Sequence, residues 1–181
     1  MKRILMLPLL GAAIVGAAFH FATKAWATPA SGFTGVTLAS GTLAEFEVFN
    51  YFVLPMLKSS DQKVWISLQK TKGKSGLYIQ NNTWDAPEPG QPVPSTGWHS
   101  HPGHSLIIVT AGTLTDYEAD DPSCKPHVYT AGMAFVDQGG KHAHIIRNEG
   151  SVAASNIAVQ LIPTGQPRRI DLPTPPGNCP F

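Results

Sequence analysis

The sequence predicts an all-β fold, and three observations lead to that prediction. Short runs of apolar, β-branched and aromatic residues recur along the chain, separated by glycine, proline, asparagine or aspartate. Glycine (17 residues) and proline (16 residues) are abundant, which is typical of a chain rich in turns. Beyond the N-terminal segment, helical periodicity is hard to find. Many short strands without helical crossovers indicate an antiparallel sandwich or a closed barrel.

The N-terminal segment, residues 1–27, has the three parts of a secretory signal peptide. Lys2 and Arg3 form a short basic stretch, residues 4–21 are almost wholly apolar or small, and Ala25–Ala27 fits the small-residue pattern before a cleavage point. The apolar run is close to the length of a membrane span, so an uncleaved anchor is the alternative. We predict cleavage, and therefore an exported chain, periplasmic or secreted, with no membrane span in its mature part.

Charge and composition exclude two classes of partner. The whole chain has a net charge of +1, and removal of residues 1–27 takes away three basic and no acidic residues, which leaves a net charge of −2. Neither nucleic acid nor an anionic membrane is therefore a predicted partner. Hydrophobic residues make up 43% of the chain and charged residues 14%, which is enough apolar material for a folded core.

Local patterns place ten strands along the chain. A tight hairpin turn is predicted at Ala111-Gly112, between two of them, and residues 58–62, 70–76 and 139–140 are predicted turns or loops. The predicted strands are Val36–Ala39, Leu43–Val53, Val64–Gln69, Leu77–Trp84, Leu106–Thr110, Thr113–Glu118, His127–Thr130, Met133–Val136, Ile145–Asn148 and Ala153–Ile162.

Residues 85–96 contain four prolines, which cannot donate ladder hydrogen bonds, so an irregular and stiff loop is predicted there. This segment is either a surface connection or the rim of a site, because it leads directly into a histidine-rich segment.

The two cysteines, Cys124 and Cys179, are predicted to form a disulfide. An exported chain meets an oxidising compartment, where an even pair of cysteines is usually bridged. The bridge would attach the proline-rich C-terminus to a loop of the domain. Free or metal-binding thiols are the alternative, and the lack of a Cys-x-x-Cys pair weighs against them.

Five of the six histidines in the mature chain fall in two short clusters, residues 97–104 and 139–144, and each cluster contains His-x-His. Residues two apart on a strand point to the same side, so each pair directs two imidazoles into one space. Neutral imidazole is a common ligand of divalent transition metals. The two segments therefore predict a metal site if they lie side by side; a pair of exposed polar strand ends is the alternative.

Residues 97–112 resemble the first conserved motif of the cupin superfamily. His99 and His101 match its His-x-His pair, and Gly112 matches its closing glycine. Ser105 stands where the motif has a glutamate. Residues 132–148 resemble the second motif: Gly132 opens it, Gly140 fits its internal glycine with one extra residue, and His144 and Asn148 fit its closing pair, although its usual proline is absent.

The resemblance implies a cupin-type double-stranded β-helix, or jelly-roll barrel, that follows the signal peptide. The chain then divides into residues 1–27, the signal peptide; 28–96, N-terminal strands and the proline-rich loop; 97–162, the core with both motifs; and 163–181, a C-terminal tail. The family's ligand positions correspond to His99, His101 and His144, which would hold iron, manganese, nickel or zinc. His104, Ser105 and His142 are predicted to support these ligands or to act as alternate ligands, and a surface position is the alternative for His104 and His142. Ser105 is expected to point inward without coordinating. Asn148 is predicted to have a structural hydrogen-bonding role.

The predicted function is binding or conversion of a small polar metabolite at a three-histidine site. A site without the usual carboxylate is more positive, which favours an anionic metabolite. A metal-dependent oxygenase, lyase or isomerase fits this description, and the residues do not choose among them. The alternative is a non-catalytic cupin module with a degenerate or empty metal site. Cupins often form homodimers, so a second copy of the chain is also a predicted partner.

Overall fold

The computed structural model describes residues 29–53 and 64–181, which form twelve strands and no helix. The predicted signal peptide and the predicted turn at 58–62 lie outside the described residues. Within the described ranges, no helix has the length and apolar character needed to cross a membrane.

The strand positions largely follow the sequence predictions. Ten strands coincide with the predicted ones to within a few residues, although Leu43 ends the first strand and the second begins only at Glu47. The strands are β1 (Phe33–Leu43), β2 (Glu47–Val53), β3 (Val64–Lys70), β4 (Ser75–Trp84), β5 (His99–Ser100), β6 (Ser105–Ala111), β7 (Thr113–Glu118), β8 (His127–Thr130), β9 (Ala134–Asp137), β10 (Ala143–Arg147), β11 (Ala154–Pro163) and β12 (Ile170–Asp171). The sequence did not predict β5 and β12, because two residues carry no periodic pattern.

Two five-stranded antiparallel sheets form the body of the molecule. Their strand orders are β1-β4-β11-β6-β9 and β12-β5-β10-β7-β8. From β4 to β12 the chain passes from one sheet to the other at every connection except β7–β8, which is the connectivity of a jelly roll. Trp84, Val109 and Ala154 of the first sheet pack against Leu114 and Ile146 of the second. The predicted all-β jelly-roll fold is confirmed.

The predicted hairpin at Ala111-Gly112 is wrong. Strand β6 pairs with β9 and β11, whereas β7 pairs with β8 and β10, so the chain changes sheets at this turn. Gly112 has a φ of +67°, and a Cβ atom there would lie 2.6 Å from the carbonyl oxygen of Ala153. A sheet-to-sheet corner and a hairpin both require a glycine in this conformation, so the local sequence does not distinguish them.

The C-terminal tail covers the outer face of the second sheet. Trp98, Tyr117, Ile145 and Cys179 form a second buried apolar cluster there, and Phe181 packs against it. The tail is bonded to the domain through the Cys124–Cys179 disulfide, whose Cα atoms are 5.3 Å apart. The predicted disulfide is confirmed.

Strands β2 and β3 form a separate two-stranded hairpin. One of its faces carries two cross-strand apolar pairs, Phe49 with Leu68 and Tyr51 with Ile66. All four side chains are more than half exposed. This hairpin therefore presents an apolar surface to the outside of the protein.

Candidate functional site

The structure brings together three of the predicted ligands. His144 on β10 lies opposite His99 on β5 in the strand register, and His101, which follows the end of β5, directs its ring into the same space. All three side chains are buried, and one ring nitrogen from each lies within 4.8 Å of the other two.

One nitrogen of each ring is held by an oxygen atom of the protein. Carbonyl and carboxylate oxygens accept hydrogen bonds, so in each ring the Nδ1 atom carries the proton and Nε2 is left to face the common space. The contacts are His99 Nδ1 to the Gly97 carbonyl (2.9 Å), His101 Nδ1 to the Arg168 carbonyl, and His144 Nδ1 to Asp116 Oδ1 (3.1 Å).

These residues fit a divalent transition metal. Three imidazoles with converging Nε2 atoms are a donor set that zinc, iron, manganese and nickel accept. The Nε2 atom of His144 is buried and has no hydrogen-bond partner among the described residues. A buried polar atom of this kind is costly unless something binds it, and a metal ion would do so. The carboxylate of Asp116 behind His144 also orients that ring, as in many metal sites.

The three histidines differ in proton affinity. Burial lowers the pKa of His99 well below its usual value, and the charge of His144 acts in the same direction. Burial also lowers the pKa of His101, against the effect of its hydrogen bond to the Arg168 carbonyl. At His144, burial is outweighed by the charge and hydrogen bond of Asp116, which raise its pKa to about 9. Without a metal, His144 is therefore the protonated member of the cluster at neutral pH.

His99 and His144 thus lie on neighbouring strands of one sheet, inside a jelly roll, and their rings share one space with the ring of His101. The chain has the cupin fold. The segment between the two His-x-His pairs runs through β6 to β9, and the pairing of β10 with β5 places His144 beside His99 despite the 40 intervening residues (102–141).

Solved structures with the cupin fold are similar to this chain. A cupin-like protein from Thermotoga maritima shares 20% identity with a TM-score of 0.43, over 53% of this chain and 64% of that one. The polyketide cyclase RemF from Streptomyces resistomycificus shares 16% identity with a TM-score of 0.42, over 53% and 60% of the two chains. A predicted oxalate decarboxylase from Thermotoga maritima shares 18% identity with a TM-score of 0.37, over 50% and 83%. This chain thus spans less than two thirds of the first two. No protein-family model and no curated protein sequence matches the chain.

A cavity of about 190 Å³ opens beside the three histidines. Its wall combines histidines, amides, two arginines and apolar side chains. The Nδ2 atom of Asn156 is buried in this wall and has no hydrogen-bond partner among the described residues. The polar lining residues are Gln80, Asn82, Thr96, His99, His101, Ser105, His144, Asn156, Gln160, Arg168 and Arg169.

The two arginines come from the C-terminal tail. The Nη1 atom of Arg168 donates a hydrogen bond to Oε1 of Gln160 at 3.1 Å. Arg169 donates to the carbonyl of Thr96 and to the carboxylate of Asp171. These contacts hold both guanidinium groups at the cavity wall. The sequence does not predict their position at the cavity, since a tail after the last predicted strand gives no signal of where its side chains point.

Of the other predicted supporting residues, only Ser105 lies at the cluster. It is 1% exposed, lines the cavity, and donates a hydrogen bond to Oδ2 of Asp137 at 3.1 Å. The structure places His104 and His142 away from the cluster, which corrects the expectation that they support or replace a ligand and leaves the surface alternative. The ring of His104 contacts Gln69, outside the cavity (3.2 Å between the two Nε2 atoms).

His142 follows the turn at Gly140 and Lys141 and contacts the exposed carboxylate of Asp120 at 3.0 Å. The expectation placed His142 and His144 on one strand face. The regular strand begins only at Ala143, so that alternation does not reach back to His142.

The proline-rich loop ends at the site. Its last residue, Thr96, lines the cavity, and the carbonyl of Pro94 accepts a hydrogen bond from the Asn148 backbone. The Asn148 side chain is fully buried and donates to the carbonyls of Asp85 and Val152. Asn148 therefore has the predicted structural role, fastening both ends of the loop.

Proposed function

We propose that this cupin binds a divalent transition metal through His99, His101 and His144, and holds a small anionic metabolite in the adjoining cavity. The observation that carries the proposal is the convergence of three buried Nε2 atoms beside a wall that contains two arginines. When bound, the metal would act as a Lewis acid toward an oxygen atom of the metabolite. An oxygenase, a lyase or an isomerase is compatible with this arrangement.

The charges and donors of the cavity favour an anion. Arg168 and Arg169 contribute two positive groups, of which Arg169 is paired with the carboxylate of Asp171, and none of the described residues that line the cavity is itself a carboxylate. The unpartnered Nδ2 of Asn156 supplies a further buried donor, which requires an acceptor atom on the ligand. The cavity is smaller than the several hundred cubic ångströms typical of drug-sized ligands. A carboxylate with few carbon atoms has the matching charge, acceptor atoms and size.

Arg168 contacts both parts of the site. Its guanidinium lines the cavity, while its backbone carbonyl accepts the Nδ1 proton of His101. An anion that binds the guanidinium of Arg168 therefore lies next to the ring of His101, which the backbone of Arg168 positions. This arrangement supports a ligand that lies between the arginines and the metal ligands.

Metal analysis of the protein purified from its export compartment tests the first half of the proposal. We expect close to one equivalent of iron, manganese, nickel or zinc in the wild type, and loss of that metal in His101→Ala. His104→Ala is the matched control, because that histidine lies outside the cluster, and it should retain the metal. A wild type that contains no metal and takes none up would favour the non-catalytic module instead.

Calorimetric titration with a panel of small carboxylates and their neutral alcohol analogues tests the second half. Carboxylates should bind and the neutral analogues should not. Arg168→Gln should weaken carboxylate binding by about 10- to 100-fold, which is the usual cost of a lost charge-assisted hydrogen bond. Lys70→Gln removes an exposed charge elsewhere and serves as the control. Equal affinity for charged and neutral analogues would contradict the anion proposal.

Export and self-association complete the proposal. The N-terminal segment and the disulfide support export, and N-terminal sequencing of the mature protein should find Thr28 first. The exposed apolar face of the β2–β3 hairpin supports a homodimer, because a second copy would cover such a surface. Light scattering should give twice the chain mass, reduced to a single chain mass in Phe49→Ser. A monomeric wild type at high concentration would contradict this part.

A further inference from the structure

Asp137 brings a carboxylate to the site from a strand that the two motifs do not use for ligands. It is the last residue of β9 and pairs in register with Ser105 on β6, the residue at the motif's glutamate position. Its side chain is 3% exposed. A carboxylate thus lies one strand away from where the family motif has one, and at the same level of the sheet.

The two carboxylate oxygens of Asp137 have different surroundings. Oδ1 accepts a hydrogen bond from the backbone N–H of Gly139 at 2.9 Å. Oδ2 accepts one from the Ser105 hydroxyl at 3.1 Å and faces the Nε2 atoms of His101, at 3.6 Å, and of His144, at 4.0 Å. Since each carboxylate oxygen has two lone pairs, Oδ2 retains one for a further partner.

The two distances from Oδ2 to the histidines are too long for hydrogen bonds. They suit two ligands of one metal ion, because bonds of about 2.1 Å place neighbouring or opposed ligand atoms about 3.0–4.2 Å apart. These separations therefore allow Oδ2 to bind the same metal ion as His101 and His144.

We propose that Asp137 is a fourth metal ligand, through Oδ2, in addition to His99, His101 and His144. The inference rests on the proposed metal-binding function and deepens it. A carboxylate ligand lowers the charge of the metal site by one relative to three histidines alone. The ligand set then combines three nitrogen donors with one oxygen donor, which zinc, iron and manganese all accept.

Cobalt(II) titration of variants tests this proposal, since cobalt absorption reports the ligands directly. Asp137→Asn should weaken Co²⁺ binding by at least about tenfold and alter the visible absorption spectrum. Adding Ser105→Glu to Asp137→Asn should restore most of the affinity, because the glutamate extends from the paired position on the neighbouring strand. Asp120→Asn, a carboxylate lost from the exposed surface, is the control and should behave as the wild type.

A cysteine variant covers the case in which Asp137→Asn does not fold. Thiolate–cobalt bonds absorb strongly in the near ultraviolet, so Asp137→Cys should show this band and Asp120→Cys should not. Wild-type affinity and spectrum in Asp137→Asn, or lower affinity with an unaltered spectrum, would overturn the assignment of Asp137 as a ligand. If His101→Ala abolishes Co²⁺ binding in that same experiment, the proposed metal-binding function stands. A wild type that binds no Co²⁺ overturns both the metal-binding function and the role of Asp137.

Discussion

At the scale of single residues, the contact between His144 and Asp116 sets the proton affinity of one predicted metal ligand. The aspartate accepts the Nδ1 proton at 3.1 Å in a fully buried setting, and this contact raises the pKa of His144 to about 9. The folded-state pKa is therefore above that of an unfolded histidine, near 6.5. In the metal-free protein, the pair contributes stability below about pH 6.5, and that contribution is lost as the pH rises through about 9.

Metal binding should reverse this protonation. The Nε2 atom of His144 must lose its proton to act as a ligand, so we expect binding near neutral pH to release a proton and affinity to rise with pH up to about 9. Titration calorimetry in two buffers of different ionisation enthalpy measures the release. Asp116→Asn should lower the pKa of His144 and reduce the number of protons released. Identical heats in the two buffers for the wild type would contradict the prediction.

At the scale of elements, the turn between β9 and β10 positions the carboxylate of Asp137. Gly139 donates its N–H to that carboxylate and has a φ of +66°. A Cβ atom on Gly139 would lie 2.1 Å from the carbonyl oxygen of Gly103, so the turn packs directly against the loop after the first histidine pair. The two motifs are thus in backbone contact at the edge of the site.

The two glycines of this turn make a matched pair for mutation. Gly140 has nearly the same φ as Gly139, +68°, but a Cβ atom there meets nothing within 4 Å. Gly140→Ala should therefore cost only the backbone strain, about 1–2 kcal/mol of unfolding free energy. Gly139→Ala should cost about 1–3 kcal/mol more, because it adds a steric overlap with fixed backbone. Urea denaturation measures the free energy of unfolding of both variants. Equal losses of that free energy would show that the backbone at Gly103 moves to accommodate the added Cβ atom at little cost.

At the scale of the whole molecule, the C-terminal tail contacts the segment that carries His99 and His101. Strand β12 of the tail pairs with β5, which carries His99, and the Arg168 carbonyl holds His101. Farther on, Phe181 stacks on Trp98 with ring centroids 6.5 Å apart, and the Cys124–Cys179 bridge closes the segment. Tail attachment and site geometry are therefore linked.

Removal of the bridge should destabilise the protein. The two cysteines are 55 residues apart in sequence, and closing a loop of that size constrains the unfolded chain by about 4 kcal/mol. Cys179→Ser should therefore lower the free energy of unfolding by about 2–4 kcal/mol, as measured by urea denaturation. Wild type treated with reductant should match the variant, and Cys124→Ser should match both. An unchanged midpoint after reduction would show that packing of the tail alone supports the fold.

Much of this architecture could be predicted because it depends on short-range patterns. Alternating side chains and glycine- or proline-rich breaks place ten of the strands. The two-residue spacing correctly predicts that the rings of His99 and His101 lie together, but it fails for His142 and His144. His99, His101 and His144 were predicted in this way, with the cupin resemblance to relate the two segments. The cysteine pairing needed only the expected compartment and an even count.

The sequence by itself thus determined the fold class, the three histidines and the disulfide, since each is encoded locally or by residue type. Only the tertiary structure decided that Asp137 lies beside Ser105, that Asp116 backs His144, and that the arginines of the tail line the cavity. The tertiary structure also decided that the chain changes sheets at Ala111-Gly112 and that His142 lies outside the histidine cluster. The physical reason is that strand register and sheet assignment depend on the packing of segments distant in sequence, and a one-residue change of register moves every side chain to the opposite face.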